Sequence, residues 1–149
     1  LDDEMAKDIG KESIEEVKKE IKESLIKRKE REFRRDYAEA IREKIAKDYK
    51  FAVPESIVEA EAERSKQDKK EIEKQIRIEL VIEAIARAEN IQTTPQDIQQ
   101  RMAMLSQMYR QPLAEIQKIY QQNNMMASLA SQVMLEKTMD FLIDHAKLD

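Results

Sequence analysis

The chain has 149 residues, of which 39% are charged and 5% aromatic, and it contains one Gly and three Pro. Alternating Glu and Lys with so few helix breakers favour long solvated helices over a compact α/β enzyme. The net charge of -4 argues against general binding to nucleic acid or to an anionic membrane. Because the chain has no cysteine, it needs no oxidising compartment, and we expect a cytoplasmic location.

The first third of the chain predicts a short helix followed by a very long one. Residues 1–9 form the short helix, which Gly10 ends. Ser13 and Glu16 have the spacing of a capping box, and nothing breaks the helix that follows until Tyr49. Its apolar residues form two stretches: Ile14, Val17, Ile21 and Leu25, then Phe33, Tyr37, Ile41, Ile45 and Tyr49. Because residues 27–32 are polar on every face, we expect two contact zones on one long helix.

Two further helices are predicted before Asn90. Pro54 begins the first, since proline is best tolerated in the first helical turn. The apolar pattern fails at 65–70, which we interpret as the tip of an arm or as a break between helices. It then returns in the second helix, with an apolar stripe at Ile72, Ile76 and Leu80 that widens over 81–86.

After residue 92 the charges thin out, and Gln and Met become frequent. Thr94 as N-cap and Pro95 at the first helical position begin a helix over 95–110. One stripe of this helix carries Ile98, Met102, Leu105 and Tyr109, and a neighbouring stripe carries Met104 and Met108. Pro112 begins a short helix, residues 123–124 form a turn, and the last helix covers about 125–147. That last helix is apolar over a wide arc, on which we expect Met134, Phe141 and Leu142 to pack into the core.

No pattern in the chain points to catalysis, a metal or a cofactor, and we expect none of them. The carboxylates pair with Lys and Arg at helical spacing on solvated faces, where their pKa values have no reason to shift. The only histidine, His145, lies in the last helical turn, where a cation favours the helix dipole. The basic run at 27–35 is interrupted by Glu30 and Glu32, so a solvated arm is favoured over a nucleic-acid site.

The methionines are the candidate binding residues, because Met is polarisable and recurs on surfaces that accept many partners. It is also an ordinary core residue. Met104 and Met108 lie off the main stripe of their helix and are the better binding candidates, whereas Met102 and Met134 favour the core. The full candidate surface for binding is Met104, Met108, Ile57, Val58 and Met125.

Several motifs together carry a family resemblance: VPESIVE at 53–59, ELVIEAIA at 79–86, YRQP at 109–112, EIQKIY at 115–120 and EKTMDFL at 136–142. In this order, on a helical chain, they resemble the C-terminal chaperone domain of bacterial trigger factor. The resemblance implies an all-α fold with a long-helix body and projecting helical arms, shared with periplasmic chaperones of the SurA type. It implies a single domain over 1–149 and supplies no catalytic residue.

The resemblance also implies a function: ATP-independent binding of unfolded or nascent polypeptides in a cradle of helical arms. Ribosome binding and prolyl isomerisation belong to other domains of the family, so this chain should not isomerise proline. A homodimer is possible, and no contact with nucleic acid or membrane is expected.

Two positions depart from the family pattern. The interval around 65–70 is shorter than usual, so this arm is truncated or part of it is missing from the chain. Arg110 stands where the family often has Gly, and a left-handed backbone there would cost about 1 kcal/mol.

Two alternatives stay open. A helical scaffold or adaptor with one fixed partner is the main one, although the stripe break at 27–32 and the closely spaced prolines count against it. An RNA-binding helical domain is more remote, and a salt-dependent shift with RNA would revive it.

Overall fold

The computed structural model describes residues 13–146 and places six α-helices and no strand in that range. They are α1 (Ile14–Asp48), α2 (Glu55–Ser65), α3 (Lys69–Ala88), α4 (Pro95–Tyr109), α5 (Leu113–Gln122) and α6 (Met126–His145). The predicted all-α class is confirmed. The helix predicted over 1–9 and its Gly10 stop lie outside the described residues.

The chain divides into two compact units, residues 1–40 and 41–149. The described part of the first unit is the N-terminal portion of α1, which begins as predicted: the Ser13 hydroxyl accepts from the Glu16 N–H at 3.3 Å. Ile21 and Leu25 are 54% and 45% exposed, so the predicted first contact zone is not buried in this chain. In the second zone only Ile45 is buried.

The second unit contains a helical hairpin formed by α2 and α3. A turn lies in the segment where the apolar pattern fails: Lys66 is left-handed, and the Asp68 side chain caps α3 by accepting from the Lys70 N–H. The buried residues of the hairpin are Val58, Ala62 and Ile72, with Val53 and Ile76 packed against them. α3 also packs against α6, so it is shared between the hairpin and the rest of the unit.

The segment that precedes the hairpin is fixed to α3 by Arg77. Its guanidinium Nε donates to the Phe51 carbonyl at 3.0 Å and also pairs with Glu73 one turn earlier. The same group lies 5.9 Å from the centre of the Phe51 ring, within the range of a cation–π contact. Arg77 therefore adds polar and cation–π contacts between the α1–α2 connection and α3 to the apolar packing of Val53.

The remaining helices pack around a second apolar cluster of the same unit. Its buried members are Met102 and Leu105 from α4, Ile116 from α5 and Leu129 from α6. The partly buried residues Ile98, Leu113, Tyr120 and Met126 surround them. Because α4, α5 and α6 each supply at least one buried residue, this cluster fixes how the three helices meet.

A polar network joins α4 to α6 at one side of this cluster. Thr94 and Asp97 form a full capping box at the start of α4, as the sequence predicts for Thr94. Thr93 Oγ1 donates to the Ala130 carbonyl at 2.9 Å, and Arg101 pairs with Glu136 at 2.6 Å. These bonds add polar contacts between α4 and α6 to those of the apolar cluster.

Four residues that the sequence analysis assigned to apolar core faces are less buried than predicted. Leu80 is 43% exposed, whereas Ile78, Val81 and Ile82 of α3 are buried. On α6, Phe141 and Leu142 are half-buried and so is Met134. The fully buried positions of that helix are Leu129, Val133, Thr138, Met139 and Ile143. Thr138 is accommodated because its hydroxyl donates to the Met134 carbonyl at 2.8 Å, which satisfies the polar atom.

Candidate functional site

A groove of about 540 Å³ lies along one side of α5, between the end of α4 and Met125, the residue that precedes α6. Tyr109, Ile119 and Met125 are 59%, 41% and 42% exposed, so solvent reaches a mainly apolar surface. The residues that line the groove are Tyr109, Gln111, Glu115, Ile116, Ile119, Tyr120 and Met125. Exposed apolar side chains gathered at one concave place are typical of a surface that binds apolar partners.

Two tight turns shape this groove. Arg110 is left-handed, with φ 52, and the Gln111 N–H donates to the Ser106 carbonyl at 3.0 Å, which ends α4. Asn124 is left-handed as well, with φ 54, and the Met125 N–H donates to the Tyr120 carbonyl at 2.8 Å. Both bonds satisfy carbonyls that a helix C-terminus leaves without intrahelical partners. The two turns therefore hold α5 between α4 and α6.

The floor of the groove is rigid, because Ile116 belongs both to the groove and to the buried cluster. Ile116 is 4% exposed and packs with Met102, Leu105 and Leu129 beneath it. A partner that binds in the groove therefore contacts a surface that is supported from beneath by buried side chains. Glu115 is the only charged residue among the lining side chains.

The predicted site residues separate into three places. Met125 lines the groove, and Met108, 63% exposed, precedes the groove residue Tyr109. Met104 is 58% exposed but lines a different, more polar hollow beside Arg101 and Lys137. Ile57 is 52% exposed on α2 and lines neither hollow.

Val58 is a correction to the predicted surface. It is only 6% exposed and forms the hairpin core with Ala62 and Ile72. Ile57 and Val58 are adjacent on α2, and consecutive helical residues point about 100° apart, so packing one of them against α3 turns the other towards solvent. Val58 therefore has no accessible side chain to offer a partner.

Sequence analysis missed Tyr109 and Ile119 as site residues. Tyr109 was assigned to the core stripe of α4, but it is the last residue of that helix and is left exposed there. Ile119 lies one position off the Leu113, Ile116 and Tyr120 stripe of α5. Ile119 is therefore off the main apolar stripe of its helix, as Met104 and Met108 are, and this position in the sequence is a signal of exposure.

Within residues 13–146, no three His, Asp or Glu side chains are placed to share a metal ion. In that same range, no helix combines the length and the apolar character that crossing a bilayer requires. Among the described side chains, Asp97 has a large pKa shift: its pKa falls to about 2, mainly because the Lys137 ammonium donates to it.

The fold and the groove thus define a class of protein: an all-helical domain with an exposed apolar groove. The family profile described as bacterial trigger factor protein C-terminus matches residues 13–70 and 65–144. The chain belongs to this family. The two matched segments overlap at 65–70, which contains the α2–α3 turn.

Three curated relatives, all named trigger factor, are similar to part of the chain. That of Carboxydothermus hydrogenoformans is 39% identical over 75 residues, covering 50% of this chain and 17% of the relative. That of Halalkalibacterium halodurans is 30% identical over 81 residues, covering 54% and 19%. That of Brevibacillus brevis is 36% identical over 73 residues, covering 49% and 17%. The matched part therefore spans less than a fifth of each relative's length, and no solved structure matches the chain.

Proposed function

We propose that this chain is an ATP-independent chaperone domain that binds unfolded or nascent polypeptides. The observation that carries the proposal is the exposed apolar groove between α4, α5 and α6, in a chain of the trigger factor C-terminal family. Ile116 gives this groove a buried base, while Ile119 and Met125 present exposed side chains above it.

The composition of the groove suits weak binding to many sequences. Met125 adapts its shape to different partners, and the Tyr109 ring offers an apolar face with a polar end. An unfolded segment loses conformational entropy when it docks, so each contact yields only modest affinity. Clients then dissociate spontaneously, and the cycle requires no nucleotide.

The charged helices keep such a surface available. The ion pairs of α1 and α2, such as Lys44–Asp48 and Arg64–Glu61, are solvent-exposed and add little stability. Their role is to solvate long helices that would otherwise associate through the apolar residues nearby.

We further propose that the domain acts within a longer cytoplasmic protein. In that arrangement, other parts of the longer protein bind the ribosome and isomerise prolyl bonds, and residues 1–149 do neither. Pairing of two copies is a further proposed property, which sedimentation of the purified chain measures directly.

The test is aggregation of a chemically unfolded client, followed by light scattering, with the chain in molar excess and no nucleotide. We expect suppression for several unrelated clients. Ile119→Ser with Met125→Ser should weaken it, because both side chains are exposed groove residues. Leu80→Ser is the matched control, since Leu80 is similarly exposed but lies outside the groove. A well-folded chain that protects no client would overturn the proposal.

A second candidate is an adaptor with one fixed partner. It is favoured by the exposed apolar face of α1, where Ile21, Leu25 and Ile26 lie beside Lys18 and Lys22. An adaptor would ignore unrelated unfolded clients and would saturate with a single folded one. The same scattering assay, run with clients of unrelated sequence, therefore separates the two candidates.

A further inference from the structure

The methionines of the described chain fall into distinct classes of exposure. Met102 and Met139 are 2% and 6% exposed, whereas Met104, Met108 and Met125 are 58%, 63% and 42% exposed. The chain contains no cysteine and no tryptophan. A two-electron oxidant that usually reacts first with a thiolate therefore finds the methionine thioethers as its main target.

We propose that Met125 is an oxidation site through which a peroxide reversibly weakens binding at the groove between α4, α5 and α6, and that the exposed Met108 is oxidised alongside it. The inference rests on the proposed function and adds a regulation to the same site. Met125 lines the groove, whereas Met108 is the most exposed of these methionines and lies outside the groove lining, one residue before Tyr109 in the sequence.

The chemistry is a balanced oxygen transfer. The thioether sulfur attacks one oxygen of hydrogen peroxide, the O–O bond breaks, and an S=O bond forms. The departing hydroxide takes up the remaining proton and leaves as water. Sulfur loses two electrons and peroxide gains them, so no further reactant is needed. The product is a methionine sulfoxide, which is polar. Methionine sulfoxide reductases return it to the thioether with a dithiol as reductant: the dithiol is oxidised to a disulfide, and the sulfoxide oxygen leaves as water.

The groove holds the new oxygen where it interferes most. The Met125 N–H donates to the Tyr120 carbonyl at 2.8 Å, and its carbonyl accepts from the Leu129 N–H at 2.9 Å. The backbone of Met125 is therefore fixed between α5 and α6, and the oxidised side chain stays beside Ile119. An apolar client residue must then strip water from a strong hydrogen-bond acceptor before it can dock.

Other methionines of the same chain serve as controls for Met108 and Met125. Met102 and Met139 lie in the core, so peroxide reaches them only when the structure opens, and oxidation at the groove leaves the fold intact. Met104 is exposed but lines the polar hollow beside Arg101, whose Nη1 lies 3.8 Å from its sulfur. That nitrogen donates towards a sulfur lone pair, so we expect Met104 to react more slowly than Met108 and to affect client binding least.

The experiment treats the purified 149-residue chain with hydrogen peroxide and follows each methionine by mass spectrometry of its peptides. We expect Met108 and Met125 to oxidise at least about tenfold faster than Met102 and Met139. Affinity for a fluorescent unfolded client, measured before and after treatment, should fall about tenfold once both sites are converted. Treatment with the two methionine sulfoxide reductases should restore it, while the melting temperature stays unchanged.

A matched pair of variants keeps the inference falsifiable. Met108→Leu with Met125→Leu preserves apolar volume, and its affinity for client should be the same before and after peroxide treatment, whereas Met104→Leu should lose affinity on treatment as the parent chain does. Unchanged affinity after complete oxidation of Met108 and Met125 would overturn this inference alone, as would their oxidation at the rate of Met102. A folded, unoxidised chain that binds no client would instead overturn the proposed function, and this inference with it.

Discussion

Lys137 of α6 reaches Asp97 in the first turn of α4, with 2.7 Å between Nζ and Oδ2. The same ammonium donates to the Gln92 carbonyl at 2.8 Å, so one side chain ties both the α3–α4 connection and the start of α4 to α6. Asp97 also accepts from the Thr94 N–H at 2.7 Å. One carboxylate therefore serves as a helix cap and as a contact between two helices.

This arrangement predicts a loss of stability in acid. The pKa of Asp97 is lowered to about 2, first by the hydrogen bond from Lys137 and then by those from Thr94. In the unfolded chain an aspartate titrates near pKa 3.9, so the folded state favours the ionised form. The stabilisation is complete above about pH 4 and is lost as the pH falls towards about 2. Asp97→Asn should melt earlier than the parent at neutral pH, and the two melting temperatures should converge in acid. A gap that stays constant down to pH 2 would contradict the assignment.

The buried cluster of α4, α5 and α6 predicts a large cost for truncating its centre. Leu129 is 1% exposed, so Leu129→Ala should destabilise the chain by about 2–5 kcal/mol. Leu80→Ala is the same chemical change at a residue that is 43% exposed, and it should cost about 0.5 kcal/mol or less. Urea unfolding measures both. Equal losses would mean that Leu80 is covered in solution.

Arg110 predicts a stabilising substitution. Its φ of 52 places a residue with a Cβ in the left-handed region, where only Gly avoids a steric penalty. Arg110→Gly should therefore raise stability by about 1 kcal/mol. Arg110→Ala is the control, because it removes the guanidinium but keeps the Cβ. If Ala stabilises as much as Gly, the effect comes from the charge and not from the backbone.

The α2–α3 turn should exchange its amide protons quickly. Residues 63–71 around the turn are all exposed, and the Lys69–Glu59 ion pair near it is largely exposed and contributes little. Hydrogen exchange at 65–70 should therefore be much faster than at 80–86, where Val81, Ile82 and Ala86 are buried. Equal protection of the two segments would show that the turn is covered by something beyond this hairpin.

Met104 and Met108 should be dispensable for folding. Met104→Gln with Met108→Gln changes two side chains that are about 60% exposed, so stability should stay within about 0.5 kcal/mol. Under the proposed function the same variant should suppress client aggregation less well, chiefly through Met108 beside the groove. A melt resembling that of Leu129→Ala would place both methionines in the core. A stable variant with full protection would confine the binding surface to other residues.

Local chemistry made most helix boundaries predictable. Ser13, Thr94 and Pro112 each mark a helix start where the structure has one, because capping hydrogen bonds and a fixed proline φ act within one turn. A left-handed backbone at Arg110 was considered from the sequence, and the structure has φ 52 there.

The sequence did not predict which residues of the broad apolar helix faces are buried. On α6, apolar residues occupy neighbouring positions over 139–143, so several rotations of the helix bury a similar area. The partners that choose among them, α3 and α4, are distant in sequence. The same ambiguity in helix rotation explains why Val58, and not Ile57, is the buried one of the two. It also explains why the half-buried Phe141 was predicted to lie in the core.

The groove was predictable only in part. Exposure of Met104 and Met108 follows from their position off the apolar stripe of α4, a local property. The concave shape of the groove does not follow from a local property. It requires the turns at Arg110 and Asn124 to place the end of α4 and the start of α6 at opposite ends of α5. That juxtaposition depends on tertiary packing around Ile116.

α3 packs against the hairpin partner α2 and also against α6. It is 20 residues long, which corresponds to an axial length of about 30 Å. Both interfaces therefore depend on the same helix. Local unfolding of α3 would release α2 and uncover the apolar face of α6 in one step, so the two interfaces should open together.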